Sequence, residues 1–368
     1  MKKFLSVFLC AVLVCGLTGL AGCGYEYRDF ETRAQFTREL AGTQLNVYNW
    51  GEYISDGSDD SIDVNKEFER LTGIQVNYTT FESNETMYSQ LRTAGVSYDI
   101  IIPSDYMIER MKNEGMLTRI DTSKISNFDL INPKYKNLYY DPQNEYSITF
   151  NVGMVGLIYN KNMVTEPPDS WTALWDENYR DELLMFSNPR DAFMIAQEIQ
   201  GTDLNSENLA DWEQAAELLK QQKKVLKSYV MDEVYGMMET GEAAMAPYYA
   251  GDFLTMYDIN EDLGFVYPKE GTNVFVDAVC IPSCCKNYEA ALMYINFLLE
   301  PEVALANAEY IGYASPNLSV MNNPEYCYYQ NEILYPDEAD LPKATYYHDI
   351  SDEIRYAYEN LWIDIKLY

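Results

Sequence analysis

The sequence has very little histidine and few basic residues. Its 368 residues include one histidine, and 26 lysines and arginines stand against 58 aspartates and glutamates, for a formal net charge of −32 at pH 7. Phosphate backbones are held by lysine and arginine, so this balance argues against nucleic acid as a partner. Most base-assisted nucleophiles and most zinc sites need histidine, which weakens those enzyme classes. A cationic partner suits the charge better.

Motifs of the common catalytic and nucleotide-binding sites are also missing. The chain contains no G-x-x-x-x-G-K-[ST], no G-x-S-x-G and no H-E-x-x-H segment. The one histidine, His348, follows two tyrosines, and we interpret it as a surface residue. These absences remove the common ways of being a hydrolase, although they do not exclude every hydrolase.

The first segment has the features of a secretory signal. Two lysines precede an uncharged apolar run over residues 4–20, and Ala21-Gly22-Cys23 follows. A cysteine after Leu-Ala-Gly resembles the bacterial lipobox, in which that cysteine is acylated and becomes the N-terminus. We expect a signal peptide over 1–22, a lipid anchor on Cys23 and a polar tether over 23–44. The alternative is a membrane helix, for which the run is marginal in length.

Four cysteines remain in the folded part of the chain. They are Cys280, Cys284, Cys285 and Cys327. Four cysteines permit three disulfide pairings, and sequence can neither choose among them nor exclude free thiols. The adjacent pair lacks zinc-ligand spacing, so we expect no metal cluster there.

Short apolar runs alternate with helical patterns along the rest of the chain. Residues 45–50, 98–102 and 155–159 are predicted strands, the second ended by Pro103. Residues 63–71 and 288–299 are predicted helices, and Pro301 fits the first turn of the next helix. This alternation predicts crossover units around a parallel sheet, and the length allows about two lobes.

Several aromatic and acidic segments occur in an order typical of one family. The segments are Asn46–Tyr53, Phe81–Tyr88, Tyr98–Ser104, Trp171–Trp175, Val276–Ala278, Tyr294–Leu299 and Ile311–Tyr313. Together, over about residues 45–336, they resemble the substrate-binding proteins of bacterial spermidine/putrescine ABC importers. The resemblance implies an α/β fold of the type II periplasmic-binding-protein kind, with a ligand cleft between two discontinuous lobes that close about a hinge.

The resemblance also implies an organisation and a set of partners. One lobe would comprise 45–151 plus 278–324 and the other 152–277 plus 325–368, with hinges near 149–153 and Asp277. The expected partners are a polyamine, an ABC permease with its ATPase, and the membrane through the Cys23 anchor. We expect a monomer at the extracytoplasmic face of the membrane, with no catalytic activity, no metal or cofactor and no nucleic-acid partner.

The ligand-binding residues follow from the resemblance, position by position. They are Trp50, Gly51, Tyr53, Ser104, Tyr106, Asn188, Asp191, Tyr249, Asp252, Phe275, Asp277 and Tyr347. Asp277 is the foremost candidate for an ammonium partner. Gly51 stands where relatives often carry a hydroxyl residue. Asn188 stands where spermidine-type relatives have an acid, which leaves Asp191 as the charged member and Arg190 as the residue expected to organise it.

Polyamine chemistry suits these residue types, but each residue also has a structural interpretation. Carboxylates can hold the ammonium groups, and aromatic rings can flank the methylenes and attract the cation. Alternatively, Trp50 and Phe275 are core aromatics, Asp252 and Ser104 cap helices, and Asp277 makes structural hydrogen bonds. At the level of the whole protein, the alternatives are a binding protein for a sugar, an organic anion or ferric iron, and a membrane-anchored hydrolase.

Overall fold

The fold is a mixed α/β arrangement built around one extended, curled sheet. The computed structural model describes residues 31–58, 61–337, 341 and 343–368. The strands are β1 Gln44–Trp50, β2 Gln75–Phe81, β3 Ile100–Ile101, β4 Leu117–Thr118, β5 Ser147–Asn160, β6 Leu183–Phe186, β7 Leu226–Val230, β8 Met245–Tyr249, β9 Leu263–Val266, β10 Thr272–Pro282 and β11 Ala344–Thr345. The helices are α1 Val64–Thr72, α2 Asn84–Leu91, α3 Asp105–Asn113, α4 Pro189–Gln200, α5 Leu209–Gln222, α6 Glu233–Glu239, α7 Ala250–Ile259, α8 Tyr288–Leu298, α9 Pro301–Ile311, α10 Leu318–Met321 and α11 Asp352–Leu367.

The sheet is parallel at both ends and antiparallel in the middle. Its order is β2-β1-β3-β10-β5-β8-β6-β7, with β4 and β11 paired to β10 and β9 paired to β5. β1 runs parallel to β2 and β3, and β6 runs parallel to β7 and β8. β5 and β10 are antiparallel to each other. The prediction of a parallel sheet is therefore confirmed for the ends and wrong for the centre.

The two central strands are longer than their apolar runs suggest. The sequence pattern predicts a strand only over 155–159, whereas β5 begins at Ser147 and is buried throughout. Its first half carries polar residues that make hydrogen bonds inside the protein, such as Thr149 Oγ1 to the Tyr135 carbonyl oxygen at 2.8 Å. Internal hydrogen bonds allow polar residues to lie in a buried strand, so hydropathy alone misses its start.

Helix boundaries follow local signals closely. Asp63 accepts a hydrogen bond from the Lys66 N–H at the start of α1, and Gly73 ends that helix with φ 72°. Pro301 occupies the first turn of α9, which ends at Gly312 with φ 77°. The predicted helices in these regions are confirmed to within a residue or two.

The C-terminal helix α11, which the sequence patterns do not predict, packs beside α4 and α5. The Trp212 and Tyr358 rings are stacked with centroids 4.8 Å apart, and Phe193 lies edge-on to Tyr358 at 5.9 Å. The four cysteines of the described region are free thiols. Among the residues that the structure describes, no helix combines the length and apolar character needed to cross a membrane. The predicted signal peptide and Cys23 lie outside the described residues.

Candidate ligand-binding cleft

Asp277 is a buried carboxylate in the centre of β10. Its side chain accepts hydrogen bonds from Ser104 Oγ on Oδ1 at 2.7 Å and from Tyr53 Oη on Oδ2 at 2.6 Å. Tyr53 follows β1 and Ser104 follows β3, so three neighbouring strands bring these groups together. Burial raises the pKa of Asp277 to about 6, and the two hydrogen bonds act in the opposite direction. No lysine or arginine of the described residues forms an ion pair with this carboxylate.

Asp191 is a second buried carboxylate, held in the first turn of α4. Its Oδ2 accepts from Tyr249 Oη at 2.7 Å and from Asn188 Nδ2 at 2.9 Å, and its Oδ1 accepts from Tyr347 Oη at 3.0 Å. Burial raises its pKa, while the two tyrosine hydrogen bonds and the nearby charge of Arg190 lower it. All four predicted site residues of this group are therefore brought into contact.

Arg190 does not pair directly with Asp191, contrary to the expectation that it organises that carboxylate. Its Nη2 donates to the Leu204 carbonyl oxygen at 3.1 Å and to Asn205 Oδ1 at 3.0 Å. The guanidinium lies 4.7 Å from the centre of the Tyr347 ring. Arg190 therefore supports the site through the tyrosine that donates to Asp191.

Asp252 supplies a third carboxylate, in the first turn of α7. The residue is half-buried; its Oδ2 accepts from Tyr313 Oη at 2.6 Å and its Oδ1 accepts from the Tyr235 hydroxyl. Burial raises its pKa to about 6. The capping interpretation is wrong for this residue, because the N-cap position of α7 is Tyr249. Ser104, by contrast, occupies the N-cap position of α3, but its hydroxyl accepts no hydrogen bond from the helix N–H groups. The hydroxyl donates to Asp277 instead.

A row of aromatic rings joins the three carboxylates. Tyr53 lies edge-on to Tyr313 at 5.7 Å, Tyr313 to Phe275 at 5.9 Å, and Phe275 to Tyr249 at 5.4 Å. The hydroxyls of this row donate to Asp277, Asp252 and Asp191. The row therefore combines ring surfaces for alkyl groups with acceptors for cations.

Two glycines make room for these rings. A Cβ atom on Gly153 would lie 2.1 Å from Phe275 Cζ, and one on Gly251 would lie 1.8 Å from Tyr313 Cδ1. Real Cβ atoms do not approach other atoms so closely, so the two ring positions require glycine beneath them.

The remaining predicted residues are placed less centrally. The Tyr106 hydroxyl lies 3.1 Å from Asn84 Nδ2 and 3.0 Å from Glu85 Oε1, and its ring is 6.3 Å from that of Tyr347. Trp50 packs its ring 4.6 Å from that of Phe81. Gly51 is exposed, and a Cβ atom there would meet nothing within 4 Å.

Sequence reasoning missed three residues that contact the site. The Tyr313 and Tyr235 hydroxyls donate hydrogen bonds to Asp252. Asn84 Nδ2 donates to Ser104 Oγ, and Asn84 Oδ1 accepts from the Ser104 N–H, at 3.1 Å each. Tyr313 and Asn84 lie in segments that carried the family resemblance, so that signal could have identified them. No comparable signal marks Tyr235.

The three carboxylates and the row of rings suit the binding of a cation that also has apolar parts. Carboxylates with raised pKa values gain from a positive partner, and hydroxyl donors keep their geometry fixed. The described residues contain no group of three or more histidine, cysteine or acidic side chains arranged to hold a metal ion.

The chain belongs to the bacterial extracellular solute-binding proteins. The model of that family matches residues 64–334. Within the family, the chain is 34% identical over 312 residues to the spermidine/putrescine-binding periplasmic protein of Salmonella typhimurium, covering 84% of this chain and 87% of that protein. It is 31% identical over 370 residues to spermidine/putrescine-binding periplasmic protein 1 of Haemophilus influenzae, covering 100% and 99%.

Solved structures agree with these relatives. The spermidine/putrescine ABC transporter substrate-binding protein PotD of Streptococcus pneumoniae superimposes with a TM-score of 0.76 at 35% identity, over 89% of this chain and 99% of that one. The TpPotD lipoprotein of Treponema pallidum superimposes with a TM-score of 0.77 at 26% identity, over 88% and 100%. The predicted family resemblance and the periplasmic-binding-protein-like α/β fold are confirmed.

Proposed function

We propose that this protein is the extracytoplasmic binding component of a polyamine ABC importer, that it takes putrescine or spermidine, and that it catalyses no reaction. The observation that carries the proposal is Asp277. Its carboxylate is 3% exposed and has no cationic partner among the described residues. A buried carboxylate is costly unless a cation meets it, and a ligand ammonium group supplies that charge.

The row of rings supports a ligand with an alkyl chain and charged ends. Asp277 lies at one end of the row and Asp191 at the other, with Tyr313, Phe275 and Tyr249 between them. Methylene groups of a diamine would lie against the rings while its ammonium groups meet the two acids. Asn188, where an acid would add charge beside Asp191, favours putrescine or spermidine over spermine.

We further propose that two lobes close on this ligand. The lobes are 45–151 plus 278–324 and 152–277 plus 325–368, and the chain crosses between them in the paired strands β5 and β10. The contact of Tyr313 with Asp252 and the 3.3 Å contact of Glu109 with His348 would then join opposite lobes. Hinge bending near 149–153 and Asp277 would make and break these contacts.

A lipid anchor on Cys23 would hold the protein beside its permease. The predicted tether over 23–44 is too long, because the Ala34 N–H donates to Glu300 at 2.8 Å and the Phe36 ring lies 5.5 Å from that of Phe297. The polar segment after Cys23 would act as a tether only before Arg33, and the relative from Treponema pallidum is itself named a lipoprotein. Mass spectrometry of the membrane-bound protein tests this: a diacylglyceryl group on an N-terminal Cys23 is expected, and an unmodified N-terminus that retains residues 1–22 would refute it.

Calorimetric titration tests the ligand assignment directly. A soluble form that begins after Cys23 is refolded to remove carried-over ligand and titrated with putrescine, cadaverine, spermidine and spermine. We expect saturable binding, strongest for putrescine or spermidine. Absence of saturable heat with all four would overturn the polyamine assignment.

Salt dependence separates a cation from the other ligand classes. Binding of a diamine to carboxylates is expected to weaken as sodium chloride rises from 0.05 to 0.5 M, because salt screens the attraction. Salt-insensitive binding of an oligosaccharide, or tight binding of an organic anion or ferric iron, would replace the polyamine assignment with that ligand.

A further inference from the structure

Asn151 faces the Asp277 site from the neighbouring strand. In the antiparallel pair of β5 and β10 it lies directly opposite Asp277, with the register shift just beyond. Directly opposed residues of such a pair project to the same face of the sheet, and so do residues two positions apart. Gly153 and Phe275 are opposed in the same way, and Phe275 covers Gly153 on the cleft side. Asn151 therefore projects toward the cleft with Asp277.

The amide of Asn151 is buried without a clear hydrogen-bond partner. The residue is 3% exposed, and within the described parts of the chain Nδ2 lacks an acceptor at hydrogen-bonding geometry. An unsatisfied buried donor is costly, so the buried amide of Asn151 calls for an explanation. The strand register alone does not provide one.

Within the site, the Tyr53 hydroxyl interacts with the Asn151 amide. Burial raises the pKa of Tyr53, the charge of Asp277 raises it further, and the Asn151 amide acts in the opposite direction, as a donor beside the phenol oxygen does. Tyr53 already donates its proton to Asp277 Oδ2 at 2.6 Å. A phenol oxygen can still accept while its hydrogen is donated elsewhere, and an amide nitrogen can only donate.

We propose that Asn151 is a positioning residue of the ligand site: a small rotation of its amide completes a hydrogen bond from Nδ2–H to Tyr53 Oη, which keeps the Tyr53 O–H directed at Asp277. The proposal rests on the proposed function, in which Asp277 receives an ammonium group. Asn151 acts through Tyr53 and does not contact the ligand. With the donor removed, the Tyr53 hydroxyl is free to turn, and Asp277 loses one of the two hydrogen bonds that stabilise its charged form.

The other titratable groups near Asn151 and Tyr53 lie on other elements, and a substitution of Asn151 leaves them unchanged. Asp105 at the start of α3 interacts electrostatically with Asp277, and Asp252 on α7 interacts with Tyr53. Ser104 continues to donate to Asp277 Oδ1. A change in the titration of Asp277 on removal of the Asn151 amide therefore reports on Tyr53.

The test is the titration of Asp277 in the ligand-free protein, followed by carbon-13 NMR of the aspartate carboxyl groups. The Asp277 signal is assigned by its loss in Asp277→Asn. In Asn151→Leu, which keeps the branching at Cγ and removes the donor, we expect the Asp277 midpoint to rise by about one pH unit. Because one unit is a tenfold change, putrescine binding at pH 6 should weaken by roughly five- to tenfold, whereas binding at pH 8 should stay within about twofold of wild type.

Two further variants keep the test decisive. In a Tyr53→Phe background, Asn151→Leu should move the Asp277 midpoint no further, since its effect passes through the hydroxyl. Asn307→Leu removes another buried amide whose Nδ2 lacks a partner among the described residues and whose Oδ1 accepts from the Ser55 N–H at 2.9 Å. This control should lower thermal stability and leave the Asp277 midpoint unchanged.

An unchanged Asp277 midpoint in Asn151→Leu, or an equal shift in the Tyr53→Phe background, would overturn the proposal. If Asn151→Leu unfolds, Asn151→Ser is measured in the same way, with a smaller shift in the same direction expected. Failure of wild-type protein to bind any polyamine would overturn the proposed function instead, while the midpoint of Asp277 would still decide the role of Asn151.

Discussion

Asp277 and Asp191, the acids at the two ends of the ring row, are stabilised in different ways. Asp277 lies within a strand, and its hydroxyl donors come from residues 224 and 173 positions away in the chain. Asp191 lies in the first turn of a helix, accepts from the N-cap residue three positions earlier, and lies near the charge of Arg190. Both acids lie beside a helix N-terminus, but Asp191 also has a cation nearby, whereas Asp277 has the acidic Asp105 as a neighbour.

The difference indicates which end of the site depends more on its ligand. Burial raises the pKa of both carboxyls, to about 6 for Asp277. With no cation beside it, Asp277 gains more from an incoming ammonium group. We therefore expect Asp277 to contribute more binding free energy than Asp191, and the following predictions test that order.

Asp277→Asn should have the largest effect. The substitution keeps the shape and removes the charge, and we expect the Kd for putrescine to rise at least ~100-fold, about 3 kcal/mol, because a buried ammonium would lose its counter-charge. Calorimetry measures the change. Asp169→Asn is the control, since Asp169 is 78% exposed in an ion pair with Lys269, and its Kd should be unchanged.

The same variant should be more stable than wild type without ligand, which also shows that it folds. A carboxyl whose pKa is raised in the folded state adds stability below its unfolded pKa and loses it as pH rises through its folded pKa, here about 6. At pH 7 the ionised Asp277 therefore destabilises the unliganded protein, on the order of 1–3 kcal/mol. Thermal unfolding should show a higher Tm for Asp277→Asn at pH 7 and no difference at pH 4. A lower Tm at pH 7 would contradict this account.

Acidification should weaken binding in wild type. Asp277 and Asp252 both have pKa values raised by burial to about 6, and a protonated carboxyl no longer attracts an ammonium group. The Kd should be nearly constant from pH 8 to 7 and rise below pH 6, by up to about tenfold per pH unit for each group. In Asp277→Asn, the slope of log Kd against pH should be smaller by one proton. An unaltered slope would show that Asp277 does not titrate in this range.

Asp191→Asn should have a smaller effect than Asp277→Asn. The helix terminus and the tyrosine donors remain to organise the site, so we expect Kd to rise about tenfold, ~1.4 kcal/mol. The comparison uses one ligand and one pH for both variants. A loss equal to or larger than that of Asp277→Asn would reverse the order argued above.

The smallest effects on ligand binding are expected at two glycines at opposite extremes of packing, where the substitutions act on stability. Gly153→Ala would place Cβ 2.1 Å from the Phe275 ring, so the ring must move, at a cost of about 1–3 kcal/mol in stability. Gly51→Ala meets nothing within 4 Å and should change stability by less than about 0.5 kcal/mol. Thermal unfolding and a putrescine titration compare the pair. If the two variants had equal Tm and Kd values, the position of the Phe275 ring would not depend on the absence of a side chain at Gly153.

Local patterns predicted much of the secondary structure. The end of α1 at Gly73 and the start of α9 at Pro301 follow from residues whose backbone preferences act over a few positions. Strands β6 and β7 were missed because they are short and lie between helical stretches. Short apolar runs of this kind do not distinguish a strand from a helix segment.

The site was predicted less completely than the helices. Asp277, Asp191 and Tyr249 could be proposed because the family resemblance marks their positions, but their partners could not be paired from sequence. Tyr235, which holds Asp252 from a helix without any motif, escaped detection. Hydrogen bonds between residues far apart in the chain leave no periodic signal for pattern reading to find.

By itself, the sequence determined the acidic, histidine-poor chemistry of the protein, the positions of most helices and the family to which the chain belongs. These properties depend on composition, on local backbone preferences and on ordered segments that can be read in one dimension. Only the tertiary structure decided that the central strands β5 and β10 run antiparallel, that Tyr53 and Ser104 share Asp277, and that Asn151 faces the same carboxylate. The physical reason is that register and burial depend on contacts between distant segments, and one residue of shift would turn each of these side chains to the other face of the sheet.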